Sequence, residues 1–351
     1  MKKIIAAALM LMVLRAHAQE NKPLTFSGYV ETYYSYDFSK PGNHEKAPFL
    51  YNHNRHNELN LNLGLLKAAY ATDKVRANVG IMAGTYAQYN MAAEQGLLKN
   101  VYEANVGVKV SGKNNLWLDA GIVPSHIGFE SAIGKDSWNL TRSLLAENSP
   151  YYESGVRLSY TSANEKWYLA GLVLNGWQRI QRAPGNQTPA FGTQVTYKPS
   201  SSVTLNWSSY AGNEQPDSLR RWRYFNNVYG QFQLNEKLGL IAGFDFGIEQ
   251  KFTESSQYNH WLSPVAIVRY SANDKLRLAA RAEYYQDKNG VIIATGTANG
   301  FQTLGYSLNM DYALANSLLW RVEGRLLDSK DRIFDNKSQV VYLTSALCFS
   351  F

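Results

Sequence analysis

The last eleven residues, from Val341 to Phe351, alternate in character and finish on an aromatic. Val341, Leu343, Leu347, Phe349 and Phe351 share one face of an extended chain. A period of two over this length suits a strand crossing a bilayer at a tilt with one face against hydrocarbon. The rest of the sequence repeats the design. Leu59, Leu61, Leu63 and Leu65 oppose Glu58, Asn60, Asn62 and Gly64. Val75, Ala77, Val79 and Ile81 oppose Arg76, Asn78 and Gly80. Leu238, Leu240, Ala242, Phe244, Phe246 and Ile248 alternate with Gly239, Gly243, Asp245, Gly247 and Glu249, and Leu304, Tyr306, Leu308, Met310 and Tyr312 with Gly305, Ser307, Asn309 and Asp311. These runs are longer than the usual strand of about five or six residues.

Short polar turns recur at 72–74, 111–115, 162–165, 198–202, 235–237, 272–275 and 315–316. Longer polar stretches lie between them, at 39–55, 86–100, 129–150, 177–189, 213–222, 251–259, 287–300 and 329–338. Seven short turns and eight long loops delimit about sixteen strands, with both ends of the chain on the short-turn side. The expected fold is all-β: a transmembrane antiparallel up-and-down barrel with short periplasmic turns and long extracellular loops. Tyr160, Tyr197, Tyr270 and Tyr312 each precede a short turn in phase with the apolar face, as an interfacial aromatic girdle requires. Tyr70 is similarly placed but out of phase after Leu65-Leu66, which calls for a bulge or another register. A seven-bladed propeller is the structural rival, but its repeat needs four short strands and a G-H…W-D pattern. This chain offers two long strands per repeat and lacks that pattern.

Residues 1–18 read as a secretory signal: Lys2 and Lys3, an apolar stretch from Ile4 to Leu14, and Ala16-His17-Ala18 as the cleavage site. The barrel domain then covers 19–351. The signal carries three basic residues and no acid, so cleavage takes the formal charge from +7 to +4, and a basic nucleic-acid surface is a poor reading. No later apolar run approaches the length of a transmembrane helix. Tyr 24, Phe 14 and Trp 8 are high counts for a chain of mean hydropathy −0.33, as a sheet with one wet and one greasy face would need. Cys348 is the only cysteine, which excludes an internal disulfide or a cysteine-based zinc site and suits a small packing residue.

Asp119-Ala-Gly-Ile-Val-Pro-Ser-His-Ile-Gly-Phe-Glu130, Asn139-Leu-Thr-Arg-Ser143, Ser149-Pro-Tyr-Tyr-Glu-Ser-Gly-Val-Arg-Leu-Ser-Tyr160 and the opening Phe26-Ser-Gly-Tyr-Val-Glu-Thr-Tyr-Tyr34 carry a family resemblance. With them, the terminal Phe351 resembles the sorting and assembly signature of bacterial outer-membrane barrels. The chain resembles the OmpL-like β-barrel porins of Bacteroidetes-type bacteria over nearly all of its mature length. The resemblance implies an outer-membrane porin, a passive diffusion channel for small hydrophilic solutes or ions, in contact with outer-membrane lipid. Homotrimer formation follows only by analogy with sixteen-stranded porins.

A barrel of this size leaves an aqueous channel, so its inner face must be polar. Arg277, Arg281 and Glu283 share the inward register on one strand; Arg321, Glu323 and Arg325 do so two strands later, with Asn309 and Asp311 between them. The arginines would form a positive stripe able to impose selectivity. The longest loop, 129–150, carries Glu130, Asp136 and Glu147. The sharper expectation is that it folds into the lumen against that wall and forms the constriction, with a transverse field. The plainer one is that the arginines pair with Glu283, Glu323 and Asp311 and only satisfy the wall. Further inward acids, Glu58, Glu103, Asp119, Glu153, Asp245 and Glu249, leave the ion preference open.

Enzyme readings are weaker. Ser125 and His126 are adjacent, which does not place a base on a nucleophile, and no G-x-S-x-G, H-E-x-x-H or Walker motif occurs. His44, His53 and His56 cluster in the first long loop, where a solvated polar loop is the commoner outcome than a metal site. No cofactor, metal or catalytic residue is expected. Too few residues precede the first strand for the plug of an energised importer. A non-conducting barrel with an adhesive or structural role is the alternative function. The signal reading predicts that the mature protein starts at Gln19; N-terminal sequencing of membrane-extracted protein checks this, and an uncut Met1 would remove the secretory reading.

Overall fold

The computed structural model describes residues 23–351; the signal expected over 1–18 lies outside them. The strands are β1 (Leu24–Asp37), β2 (Leu59–Ala71), β3 (Val75–Ala83), β4 (Val101–Lys109), β5 (Asn115–Pro124), β6 (Tyr152–Thr161), β7 (Trp167–Leu174) and β8 (Ala190–Ser200). The second half adds β9 (Val203–Asn213), β10 (Trp222–Gln233), β11 (Leu238–Gln250), β12 (Tyr258–Ser271), β13 (Leu276–Asp287), β14 (Phe301–Ala315), β15 (Leu318–Ser329) and β16 (Gln339–Ser350). Each pairs antiparallel with its neighbours in sequence, and β16 returns to β1, so the sixteen strands form a closed barrel. All seven short turns and all eight long loops fall where the polar stretches placed them.

The seam between β1 and β16 runs from Tyr29↔Ser350 to Asp37↔Tyr342. Beyond it the Gly28 amide donates to the Phe351 carbonyl at 3.0 Å, and the Phe351 amide donates back to Gly28 at 3.1 Å. The Phe351 ring occupies the space a side chain on Gly28 would need.

Val75, Val79, Ile81, Phe244, Phe246, Leu304, Tyr306 and Leu308 face outward and are exposed, as are Val341, Leu343, Leu347, Phe349 and Phe351. One run departs from its expected face. Leu63 is 0% and Leu65 5% exposed, inside the barrel, whereas Leu66 is 57% exposed outside. The β1–β2 register shifts between Glu31↔Leu63 and Thr32↔Leu61, leaving Asn62 as the extra residue of a bulge. That bulge restores the outward parity of Tyr70. Tyr70, Tyr270 and Tyr312 stand exposed near the short turns; Trp167 stacks on Tyr197 with ring centroids 4.2 Å apart, and Trp320 lies across from Tyr312. Together they form the aromatic girdle at one membrane interface. Cys348 points inward and is buried.

The bore is filled unevenly. Toward the long loops, an inner tier of aromatics from the wall (Phe225, Trp261, Tyr285, Phe301 and Tyr342) packs with Phe49 and Leu50 of the first loop, L1 (38–58). Phe49 meets Phe301 edge-on at 4.7 Å. A six-residue helix, Thr85–Asn90, buries Tyr86 and Ala87 against β2 and β3. Toward the short turns the inner face is polar, with Arg76, Lys109, Arg157 and Arg269 only partly covered.

Gly247 of β11 lies under the Trp261 ring, which fills the place of any side chain there. Gly247→Leu must displace that ring from its stack with Phe225, at an expected cost of about 1–3 kcal/mol. The heat-modifiability midpoint on gels should fall; an unchanged midpoint would show that the aromatic tier does not stabilise the barrel.

Candidate functional site

The third long loop, L3 (125–151), crosses the lumen and is fastened on both sides. On entry, the His126 ring sits between the Glu153 carboxylate, 2.9 Å from Nδ1, and the Ser209 carbonyl of β9, 2.8 Å from Nε2. With an acceptor at each nitrogen the ring donates twice, as the imidazolium. The Gly128 amide donates to Asn227 on β10. Phe129 and Trp138 then lie over Gly243 and Gly239 of β11, positions where a side chain would collide with the two rings.

The far side of L3 rests on β13, β14 and β15. Arg321 pairs with Asp311 at 2.6 Å and donates to the carbonyls of Gly134 (2.6 Å) and Ser137 (2.9 Å). The Leu140 amide donates to Asn309, and the Asn139 side chain to Ser307. Thr141 donates its amide (2.6 Å) and hydroxyl (2.8 Å) to Glu323, and receives Arg281 on its carbonyl at 2.6 Å. The Leu144 amide donates to Glu283 at 2.6 Å, opening the short helix Leu144–Glu147. Period-two register carries all these wall groups inward; L3, which has no strand pairing of its own here, takes them as substitute backbone partners.

The residues singled out in the sequence therefore separate. Arg281 pairs with Glu323 at 3.0 Å and Glu283 at 3.3 Å, and lies 3.9 Å from Glu130. Arg325 pairs with Glu283 at 2.7 Å. Glu130 also receives the amide and hydroxyl of Ser143. Glu147 faces L1 instead, accepting from the Tyr51 amide at 2.9 Å and from Asn52. Arg277 stands exposed at the short-turn mouth, and Asp136 is exposed on L3; among the described residues neither has an ion-pair partner within 4.0 Å. Of the other inward acids, Glu103 pairs with Lys67, Asp119 with Arg76 and Arg157, Glu249 with Arg223 and Glu58 with Arg55, while Asp245 accepts from Asn227.

Reading the sequence did not single out Arg142. It is fully buried and spends its guanidinium on the carbonyls of Ser131, Leu140 and Ala132, holding L3 in its own fold. The only signal for it was its place within Asn139–Ser143, a family stretch with no stated role. The L1 histidines are structural: His53 Nε2 lies 2.7 Å from Glu31, and His56 Nδ1 accepts from the Asp37 amide. Among the described residues no group of three or more His, Cys, Asp or Glu is arranged to hold a metal.

The family model described as "Putative beta-barrel porin-2, OmpL-like" matches residues 23–351. The chain belongs to this family. It is an outer-membrane porin, a passive channel of the bacterial outer membrane. Solved structures with the same fold include an anion-selective porin from Comamonas acidovorans, 10% identical, TM-score 0.62, covering 93% of this chain and 99% of that one. The outer-membrane channel DcaP of Acinetobacter baumannii is 13% identical with a TM-score of 0.59 and covers 96% and 100%. The trimer form of Vibrio cholerae OmpT is 9% identical, TM-score 0.59, covering 93% and 99%. At these identities the likeness concerns the fold. A comparison with curated proteins finds no match.

Two groups make the fastening of the porin's L3 sensitive to pH. Burial disfavours the His126 imidazolium, but the Glu153 carboxylate outweighs it and raises the pKa above 6.5. Burial pushes the Glu147 carboxyl up to about 7. For both, the folded pKa exceeds the unfolded one, so stabilisation is complete below the unfolded value and lost as pH rises through the folded value. L3 amides should exchange hydrogen faster, relative to strand amides, as pH rises from 4.5 to about 7 for the Glu147 contribution and from 6.5 upward for that of His126. His126→Gln should flatten that dependence; an unchanged profile would count against this fastening.

Proposed function

We propose that L3 is the constriction of this porin, and that its attachment to the arginine wall of β13 and β15 sets how far the passage opens to small hydrophilic solutes. The supporting observation is the double role of the wall charges. Arg281 pairs with Glu283 and Glu323, and Arg321 with Asp311, while Arg281, Arg321, Glu283 and Glu323 also bond the L3 backbone. A partly released loop would leave buried charges without partners, which favours L3 remaining fully seated. Beside L3, toward β4 and β10, a cavity of about 290 Å³ is bounded by Tyr102, Tyr229 and Gln231 on the wall and Phe129, Ser131 and Tyr151 on the loop.

The protein works without catalysis or cofactor on this reading, and lipid surrounds the apolar belt. Assembly into a homotrimer is consistent with the trimer form of the Vibrio cholerae neighbour. A non-conducting barrel is the second reading, favoured by the aromatic tier that L1 packs into the extracellular half of the bore.

Arg281→Ala/Arg321→Ala removes two donors to L3 and leaves Glu323 and Asp311 buried without their cations, at a local cost of roughly 3–5 kcal/mol for each broken pair. Planar-bilayer recording should then show larger or more frequent openings than the wild type. Unchanged conductance and ion preference would exclude L3 as the constriction, and silence from both proteins would favour the non-conducting barrel.

A further inference from the structure

Three basic side chains near the short-turn mouth make no ion pair within 4.0 Å among the described residues, and the carboxylate across from Arg277, Asp311, is turned to Arg321. Arg269 of β12 and Arg277 of β13 both point inward from adjacent strands, diagonal to one another in the register Ser271↔Arg277. Among the described residues neither has a carboxylate within 4.0 Å. Arg269 is held by the Trp138 ring of L3, its guanidinium carbon 4.2 Å from the ring centroid. The third charge is the exposed Lys135 of L3, with Nζ 3.1 Å from the Ser350 hydroxyl. Lys135 and Arg277 line a cavity of about 650 Å³ at this mouth. Two acids line it as well: Asp311 is occupied by Arg321 at 2.6 Å and by Asn309 at 2.8 Å, and Asp274 sits on the exposed turn.

Across the same vestibule the balance has the same sign. Arg76 and Arg157 share the single carboxylate of Asp119. Lys67 is matched by Glu103, and the partly covered Lys109 has no ion pair among the described residues. Asp136 of L3 is the one further exposed acid of the loop on this side. Cations without counterions, set in a wet recess with low-dielectric walls, concentrate anions and repel cations. Guanidinium groups held without carboxylates keep their paired N–H donors for an oxyanion.

We propose that the periplasmic vestibule is an anion site centred on Arg269, Arg277 and Lys135, accepting small oxyanions that carry phosphate or carboxylate groups and giving the channel a preference for anions. The transport half rests on the channel reading above; the binding half does not. Purified protein in detergent micelles, titrated calorimetrically with inorganic phosphate at low ionic strength, should show saturable binding. Arg269→Gln/Arg277→Gln should weaken it at least tenfold, and Arg269→Lys/Arg277→Lys should retain most of it. In planar bilayers under a potassium chloride gradient, chloride should permeate better than potassium, with the ratio falling at least threefold in the glutamine variant. Should that variant fail to fold, Lys135→Gln, at an exposed position, should lower both readouts in the same direction. Phosphate binding in a protein that passes no current would uphold the site while removing the channel reading. Conductance without saturable phosphate binding, a preference for potassium, or glutamine variants that match the wild type would overturn the site.

Discussion

A peptide group left unpaired in hydrocarbon costs several kcal/mol, so a sheet in a bilayer cannot keep an open edge. Everything else in this porin follows from the seam that removes the edge. β1 and β16 pair along their length, and the last bonds of the seam are made by Phe351, whose amide and carbonyl both meet Gly28. The Phe351 ring then lies where any side chain on Gly28 would be. The terminal aromatic is thus part of the closure itself. Once the sheet is closed, alternation sorts every strand into a lipid face and a lumen face, and the lumen face inherits the chain's inward charges.

A sixteen-stranded bore is wider than its own side chains can fill, so loops must enter it or water must. L3 enters, and its irregular backbone brings donors and acceptors that need partners away from bulk water. The wall supplies them with ions. Arg281 and Arg321 take loop carbonyls, and Glu323 and Glu283 take loop amides. Each ion is also opposite a counterion on its own wall. A charge so placed recovers part of its desolvation cost twice, once from the pair and once from the charge-assisted bond to the loop. This explains why a strongly charged wall can lie buried beneath L3.

The strand plan was legible in the sequence because it depends only on period two and on turn residues. The short turns at Thr72–Lys74 and Asn235–Lys237 needed no knowledge of partners. The face of Leu63 and Leu65 was not legible from that strand alone. A bulge is decided between two strands, here at the step from Glu31 to Thr32, and the only local trace of it was the misplaced parity of Tyr70. The site divides in the same way. That Arg281, Arg321 and Arg325 point inward is parity; what they meet is loop conformation, which has no period to read. Arg142 in its cage of carbonyls and His126 between Glu153 and Ser209 became visible only when residues far apart in the chain were brought together.

The number of charges on a wall is a poor guide to the field in the lumen. Arg321 and Asp311 at 2.6 Å, or Arg325 and Glu283 at 2.7 Å, are dipoles whose field decays quickly beyond the pair, and salt screens the remainder within roughly 8–10 Å. Arg281 and Arg321 therefore hold the loop while contributing little at a distance. Arg269, on a strand that looked ordinary, lies against the face of Trp138 and has no ion pair within 4.0 Å among the described residues. Arg277, diagonal to it across the β12–β13 pair, lines the recess at the periplasmic end. On the proposed reading a solute entering from that side meets these cations at the edge of L3, where Lys135 and Trp138 belong to the loop itself, so selection by charge begins at the periplasmic face of the same element that would restrict by size.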